Sequence, residues 1–258
     1  MDDVIAAPPG GPELRMPAVG FGTWPLRGPE CREAVAHALA VGYRHLDTAR
    51  MYRNEVEVGA GLRDSGIDRD QVLVVTKVRP GDADRAGVRR EVEASLRELD
   101  LDQLDLVLLH APGRVPVEET MAAFREQRDA GKVQHIGVSN VAVDTLDRAA
   151  AVAPIACVQN EYRPGLDQRD VLDWCRQHSV AYVAYSPLDV DRSTRETLTE
   201  IAESHGKSWA QVAIRWLLQQ EQVATIPRSG DPAHREQNLA VFDFELDDQE
   251  MARISDLA

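Results

Sequence analysis

Short apolar runs alternate with longer amphipathic stretches along most of this chain. The runs are Phe21–Thr23, His45–Asp47, Val72–Val78, Leu104–His110, Gln134–Ser139, Ala156–Asn160, Val180–Ser186 and Val223–Pro227. Continuous apolar runs mark strands buried on both faces, as in parallel sheets. Between them, a helical period predicts helices near 30–41, 55–65, 85–99, 117–130, 143–151, 168–178 and 208–220. A further helix is expected to start at Asp231-Pro232, a capping residue followed by proline at the first helical position. Eight such units predict an α/β chain closed as a (β/α)8 TIM barrel, one domain over residues 1–258. Ahead of it, Glu13–Leu14 and Pro17–Val19 are expected to pair as a short N-terminal hairpin closing the barrel bottom. Pro8-Pro9-Gly10-Gly11 reads as a flexible lead-in. An open doubly wound sheet is the competing architecture, but the G-x-G-x-x-G fingerprint expected after its first strand is absent.

Polar residues punctuate the ends of these runs. Asp47 ends the second strand, Lys77 sits near the end of the third, and His110 ends the fourth. Ser139 and Asn140 follow the fifth, Gln159 and Asn160 end the sixth, Tyr185 and Ser186 the seventh, and Arg228 and Ser229 the eighth. Parallel barrel strands deliver their C-terminal ends to one rim, where the active sites of such barrels lie. Lysine on an apolar strand is costly to desolvate unless a carboxylate meets it. Asp47, one strand earlier, is its natural partner, either as a structural ion pair or as part of a site. Tyr52 follows in the loop that Asp47 feeds. A nearby ammonium is expected to lower its pKa from about 10 and make it a usable acid. His110 reads either as a satisfied core histidine or as a group that orients a carbonyl oxygen. No G-x-S-x-G nucleophile motif occurs, and no paired carboxylates for glycoside cleavage are evident. Carbonyl reduction needs a hydride source that no side chain supplies, so a cofactor is implied.

Composition narrows the partners. The 258 residues carry 43% hydrophobic and 28% charged side chains, an ordinary globular mixture, with a net charge of −14. That acidity argues against nucleic acid and against an anionic membrane surface. Three widely spaced cysteines, Cys31, Cys157 and Cys175, fit reduced thiols and show no metal-ligand spacing. The start Met1-Asp2-Asp3 is acidic with no apolar run behind it, so no secretory leader is expected and a cytoplasmic monomer is.

The segment from Gly42 to Ala49 (GYRHLDTA), with Tyr52 and Asn54-Glu55, resembles the signature of the aldo-keto reductases. So do Thr76-Lys77, Leu108-Leu109-His110, Gly137-Val138-Ser139-Asn140, Gln159-Asn160-Glu161-Tyr162, Tyr185-Ser186-Pro187-Leu188 and Ile226-Pro227-Arg228-Ser229. The likeness runs in order from about residue 13 to the end and has the flavour of short bacterial diketogluconate reductases. It implies an NAD(P)H-dependent enzyme that reduces an aldehyde or ketone to the alcohol, with hydride from nicotinamide C4 and the proton from Tyr52. Asp47, Tyr52, Lys77 and His110 would be the catalytic tetrad. Ser139, Asn140 and Gln159 would bond the carboxamide, and Tyr185 would stack on the ring. Ser186 and Leu188 would border the pyrophosphate. Arg228, Ser229, His234, Gln237 and Asn238 would surround the adenosine half. Gly22 and Thr23 match the first-strand rim, and Trp24, Arg79 and Ala111 would edge the substrate pocket.

Departures from the family pattern bear on choice of cofactor and substrate. His234 stands where an arginine commonly grips the NADPH 2′-phosphate. Asp231 would repel that phosphate and accept from a ribose hydroxyl. NADPH use with appreciable NADH is therefore expected, unless Arg228 and Arg235 suffice for the phosphate. Ala111 replaces a common tryptophan, Arg79 a common aromatic, and no long tail follows to cover the pocket, which implies a wide, wet opening. Arg50 and Arg79 read as solvated rim arginines or as attractors of an anionic substrate. A redox-sensing cofactor-binding partner with little turnover is the alternative function.

Overall fold

The computed structural model describes residues 3–258; Met1 and Asp2, part of the acidic start noted above, lie outside the described residues. Eight parallel strands form one sheet in strict sequence order: β3 (Phe21–Gly22), β4 (His45–Asp47), β5 (Leu73–Val78), β6 (Leu104–Leu109), β7 (Val133–Ser139), β8 (Cys157–Glu161), β9 (Ala181–Tyr185) and β10 (Val223–Thr225). The ring closes where Gly20 N donates to Thr225 O, Thr225 N to Ala18 O and Gly22 N to Pro227 O. Gly22 is required at this seam, because a Cβ there would stand 2.7 Å from Ile226 O. The fold is a (β/α)8 barrel. Helices α1 (Gly28–Ala40), α2 (Glu55–Asp64), α3 (Arg85–Leu99), α4 (Val117–Asp129), α5 (Val143–Ala150) and α6 (Arg169–Gln177) follow the first six barrel strands. α7 (Arg192–His205) and α8 (Trp209–Leu218) follow β9, and α9 (Pro232–Leu239) and α10 (Asp248–Ser255) end the chain.

Two apolar layers result. Val75, Leu106, Leu108, Cys157, Val183 and Ala224 fill the barrel interior. The outward faces of the strands pack on the helices, as Val74, Val107, Val138 and Val158 do. Ala6, Leu14 and Met16 join the interior layer from an N-terminal hairpin. Its strands are β1 (Asp3–Ala6) and β2 (Leu14–Pro17), paired antiparallel with Ala6 opposite Leu14. The hairpin exists as expected, but its first strand is an earlier one. Pro8–Gly11 is its connection rather than a lead-in, because Val4, Ile5 and Ala6 supply the pairing residues. Ala7 N donates to Ser179 O just before β9, which ties the hairpin to the N-terminal end of the barrel.

Two helices were not foreseen. α7 buries only Thr194, Leu198, Ile201 and Ala202, so its apolar stripe is thin. Its start is marked by Asp191, whose side chain accepts from Thr194 N. α10 starts with a complete capping box, Asp247 with Glu250, which is legible in sequence. Asp231 caps α9 as expected, accepting from Ala233 N with Pro232 at the first position.

Candidate active site

A cleft of about 800 Å3 opens at the C-terminal ends of the strands. Its floor is polar because the strands end polar. At β4, Asp47 is 1% exposed and accepts from Lys77 Nζ at 2.5 Å through Oδ1 and from Gln159 Nε2 at 2.8 Å through Oδ2. Lys77, also 1% exposed, donates further to Thr48 O at 3.0 Å and to the Tyr52 hydroxyl at 3.4 Å. The His110 ring meets the Tyr52 ring edge-on at 5.7 Å, and the Trp24 ring lies 5.2 Å from the Tyr52 ring. Asp47, Tyr52, Lys77 and His110, from four separate stretches of sequence, therefore form one contiguous group.

The electrostatics follow from burial. Desolvation opposes the Lys77 ammonium, but Asp47 outweighs it and holds the pKa above the ordinary lysine value. Burial pushes the Tyr52 phenol up; Lys77 pulls it down but does not win, and Asp47 adds to the rise. The sequence expectation of a lowered Tyr52 pKa is thus corrected in sign. Burial first, then Lys77, lowers His110 to about 4, so the imidazole is neutral at pH 7. Its Nδ1 is buried without a protein partner. A neutral imidazole can hydrogen-bond a carbonyl oxygen without competing as the proton source.

The second half of the cleft runs over β7 to β10. Ser139 and Gln159 are buried in its floor, and Asn140 sits at φ 59° with its amide donating to His110 O at 2.8 Å. Tyr185 donates its hydroxyl to Asn140 Oδ1 at 2.7 Å, which holds the ring as a wall. Ser186, at φ 51°, turns the chain so that Pro187, Leu188 and Asp189 line the cleft. Ile226, Pro227, Arg228, Ser229 and His234 complete the far end, and Gly22 and Thr23 the near rim.

Other expected site residues fall elsewhere. Gln237 is exposed and Asn238 buried, and neither lines the cleft. Arg235 is turned under the loop, donating to Ser229 O and Gly230 O at 3.0 Å each, so it buttresses the loop and leaves Arg228 exposed above it. Asp231 is occupied with its helix cap. Arg79 does not line the cleft; it faces Glu91 at 3.5 Å and Asp82 at 3.9 Å. Ala111 is half-buried beside the cleft without lining it. Arg50 is not a solvated rim group: it is 9% exposed and paired with Glu55 and Glu98.

The sequence reading passed over Met51 and Asp189, which line the cleft. Met51 had one signal, its place directly before Tyr52. It also passed over Asn54 as a hub. The Asn54 amide donates to Leu26 O at 3.0 Å, Thr23 Oγ1 at 3.2 Å and Thr23 O at 3.3 Å, and its Oδ1 accepts from Thr48 at 2.6 Å. That satisfies every polar site of a buried amide and pins the chain two residues after Tyr52.

Residues 18–258 match the model of the aldo/keto reductase family. The chain belongs to this family. It is 38% identical over 252 residues to the 9,11-endoperoxide prostaglandin H2 reductase of Trypanosoma cruzi, covering 95% of this chain and 88% of that one. It is also 38% identical over 248 residues to the glyoxal reductase of Bacillus subtilis, covering 95% and 90%. A crystal structure assigned as a 2,5-diketo-D-gluconic acid reductase B superposes with TM-score 0.90 at 42% identity, over 94% of this chain and 88% of that one. The protein is an oxidoreductase of the carbonyl-reducing, nicotinamide-dependent kind. Among the described residues no helix is long and apolar enough to cross a membrane.

Proposed function

We propose that the chain reduces neutral aldehydes or ketones, with Tyr52 as proton donor and NADPH as the main hydride source. The observation that carries this is the contact chain Asp47–Lys77–Tyr52, buried at one end and open to the cleft at the other. Tyr52 remains a protonated phenol through neutral pH, as a donor must. As the carbonyl oxygen gains negative charge, Lys77 stabilises the phenolate left when the proton moves from Tyr52 Oη. His110 donates one N–H to the same oxygen and fixes the carbonyl's orientation. Asp47 keeps Lys77 charged and aimed.

A nicotinamide dinucleotide fits the other half of the cleft. The volume suits it, and Ser139, Asn140 and Gln159 offer a buried polar floor for a carboxamide beside the fixed Tyr185 ring. When bound, the nicotinamide supplies hydride from C4. Ser186 and Leu188 would border its pyrophosphate, and Arg228, Ser229 and His234 would hold its adenosine end, all of them lining the cleft. Arg228 would be the cation for a 2′-phosphate there, while Arg235 is committed beneath the loop. NADPH is preferred, and NADH serves as well.

The substrate half favours uncharged molecules. Trp24 and Met51 are 52% and 49% exposed, among the few large apolar side chains so open. Among the described lining residues Arg228 is the only arginine or lysine, and it lies at the far end of the cleft from Trp24 and Met51. A chain of net charge −14 adds a repulsive field for anions. We place the protein in the cytoplasm as a monomer of one domain; the free, buried Cys31, Cys157 and Cys175 fit the reducing compartment. The test is loss of NADPH and NADH absorbance with paired substrates of one shape, such as benzaldehyde and 4-carboxybenzaldehyde. The neutral member should have the higher kcat/KM; a higher value for the carboxylate refutes the charge reading, and no turnover of any carbonyl refutes the reductase.

A further inference from the structure

The reading of Tyr52 as donor leaves open what holds it. Tyr52 ends a single short helical turn, Arg50–Tyr52, closed by Tyr52 N donating to Ala49 O at 2.9 Å. One such turn is not stable by itself. It is pinned on its C-terminal side by Asn54. On its N-terminal side lies Arg50, buried away from the cleft and surrounded by carboxylates. Its guanidinium meets Glu55 at the start of α2 and Glu98 near the end of α3 at 2.7 Å, with Glu91 of α3 at 3.6 Å. Glu55 in turn accepts from Thr76 Oγ1 at 2.6 Å, and Thr76 precedes Lys77 on β5. Arg79, two residues beyond Lys77, faces Glu91 at 3.5 Å. The same ion network therefore grips the chain beside the proton donor and on both sides of its lysine partner.

We infer that Arg50 is a positioning residue for Tyr52: through Glu55 and Glu98 it ties the tyrosine's turn to α3 and to the strand carrying Lys77, and so sets the Tyr52–Lys77 approach. The chemistry favours this over a stability role alone. Glu55, Glu91 and Glu98 all face Arg50, and of these only Glu91 has a second cation, Arg79, so removing Arg50 leaves the buried Glu55 carboxylate unpaired. Neither Arg50 nor its partners line the cleft, so their replacement does not touch substrate or cofactor. A misplacement near 1 Å at a reacting group costs on the order of 100-fold in rate.

The inference rests on Tyr52 as donor, and the experiment separates the two. Wild type, Tyr52→Phe, Arg50→Met, Arg50→Lys and Glu98→Gln are compared for kcat, for NADPH Kd by fluorescence quenching, and for melting temperature. Arg50→Met should lose at least about tenfold in kcat with NADPH Kd unchanged within about twofold. Arg50→Lys should recover most of that kcat, and Glu98→Gln should fall between. If Arg50→Met does not fold, Glu98→Gln carries the test, since its side chain is 38% exposed. An Arg50→Met enzyme that melts lower but keeps wild-type kcat overturns the inference, as does a parallel loss of kcat and cofactor affinity. With Tyr52→Phe inactive, such results refute the clamp alone; turnover by Tyr52→Phe equal to wild type refutes both.

Discussion

Removing Lys77 separates what the buried pair does for stability from what it does for chemistry. In Lys77→Met the Asp47 carboxylate keeps Gln159 but loses its cation in a site 1% exposed. Leaving one member of a buried pair costs about 3–5 kcal/mol. A second bound comes from proton uptake: an aspartate of ordinary pKa near 3.9 can be neutralised for about 4 kcal/mol at pH 7 and about 1.5 kcal/mol at pH 5. The destabilisation of Lys77→Met should therefore be near 4 kcal/mol at pH 7, about 8–16 °C in melting temperature for a chain of this size. It should shrink by more than half at pH 5, where the wild-type Lys77 ammonium is still fully charged because its pKa is raised. Lys77→Met/Asp47→Asn removes both charges and should regain most of the stability. It should not regain turnover, because nothing then stabilises the Tyr52 phenolate; about 100-fold or more is lost in both variants. Urea unfolding at the two pH values and absorbance at 340 nm measure these quantities. A loss under about 1 kcal/mol at pH 7, a loss that does not shrink on acidification, or a double variant that turns over would each refute the reasoning.

Three further outcomes follow from single sites. The pKa values of His45, His110 and His135 are lowered first by burial, His110 to about 4. Below about 6.5 the unfolded chain takes up protons that the folded chain refuses, so stability should fall as pH drops from 6.5 towards 4; His135→Gln should flatten that slope in urea midpoints, and an unchanged slope would contradict the assignment. His234→Arg places a second cation beside Arg228 and should raise the NADPH-over-NADH ratio of kcat/KM about tenfold; a ratio that does not rise would place the 2′-phosphate elsewhere. Gly59→Ala puts a Cβ 2.2 Å from Leu99 O where α2 crosses the end of α3, and overpacking there should cost about 1–3 kcal/mol in thermal or urea melts.

Strand order and the gathering of Asp47, Tyr52, Lys77 and His110 were legible because both are one-dimensional signals. Buried parallel strands are apolar runs, and a rim residue is the polar one that ends a run. The hairpin was misplaced because Val4, Ile5 and Ala6 make too short a run to outrank the Pro8–Gly11 punctuation behind them. α7 was missed because its serines, threonines and charges leave too thin an apolar stripe. The arginines were unreadable for a different reason. What Arg50, Arg79 and Arg235 do depends on partners on α3 and on the β10–α9 loop, which no local pattern announces. The pKa of Tyr52 failed in sign for the same cause: the sequence supplies the neighbouring charge but not the burial that opposes it.

The central claim is that the proton reaches the carbonyl oxygen from Tyr52. Tyr52→Phe removes one oxygen atom and leaves the ring against Trp24 and His110. With the same aldehyde and saturating NADPH, the account predicts that kcat falls by about 100-fold or more while NADPH Kd stays within about twofold of wild type. Turnover at the wild-type rate with intact cofactor binding would contradict it.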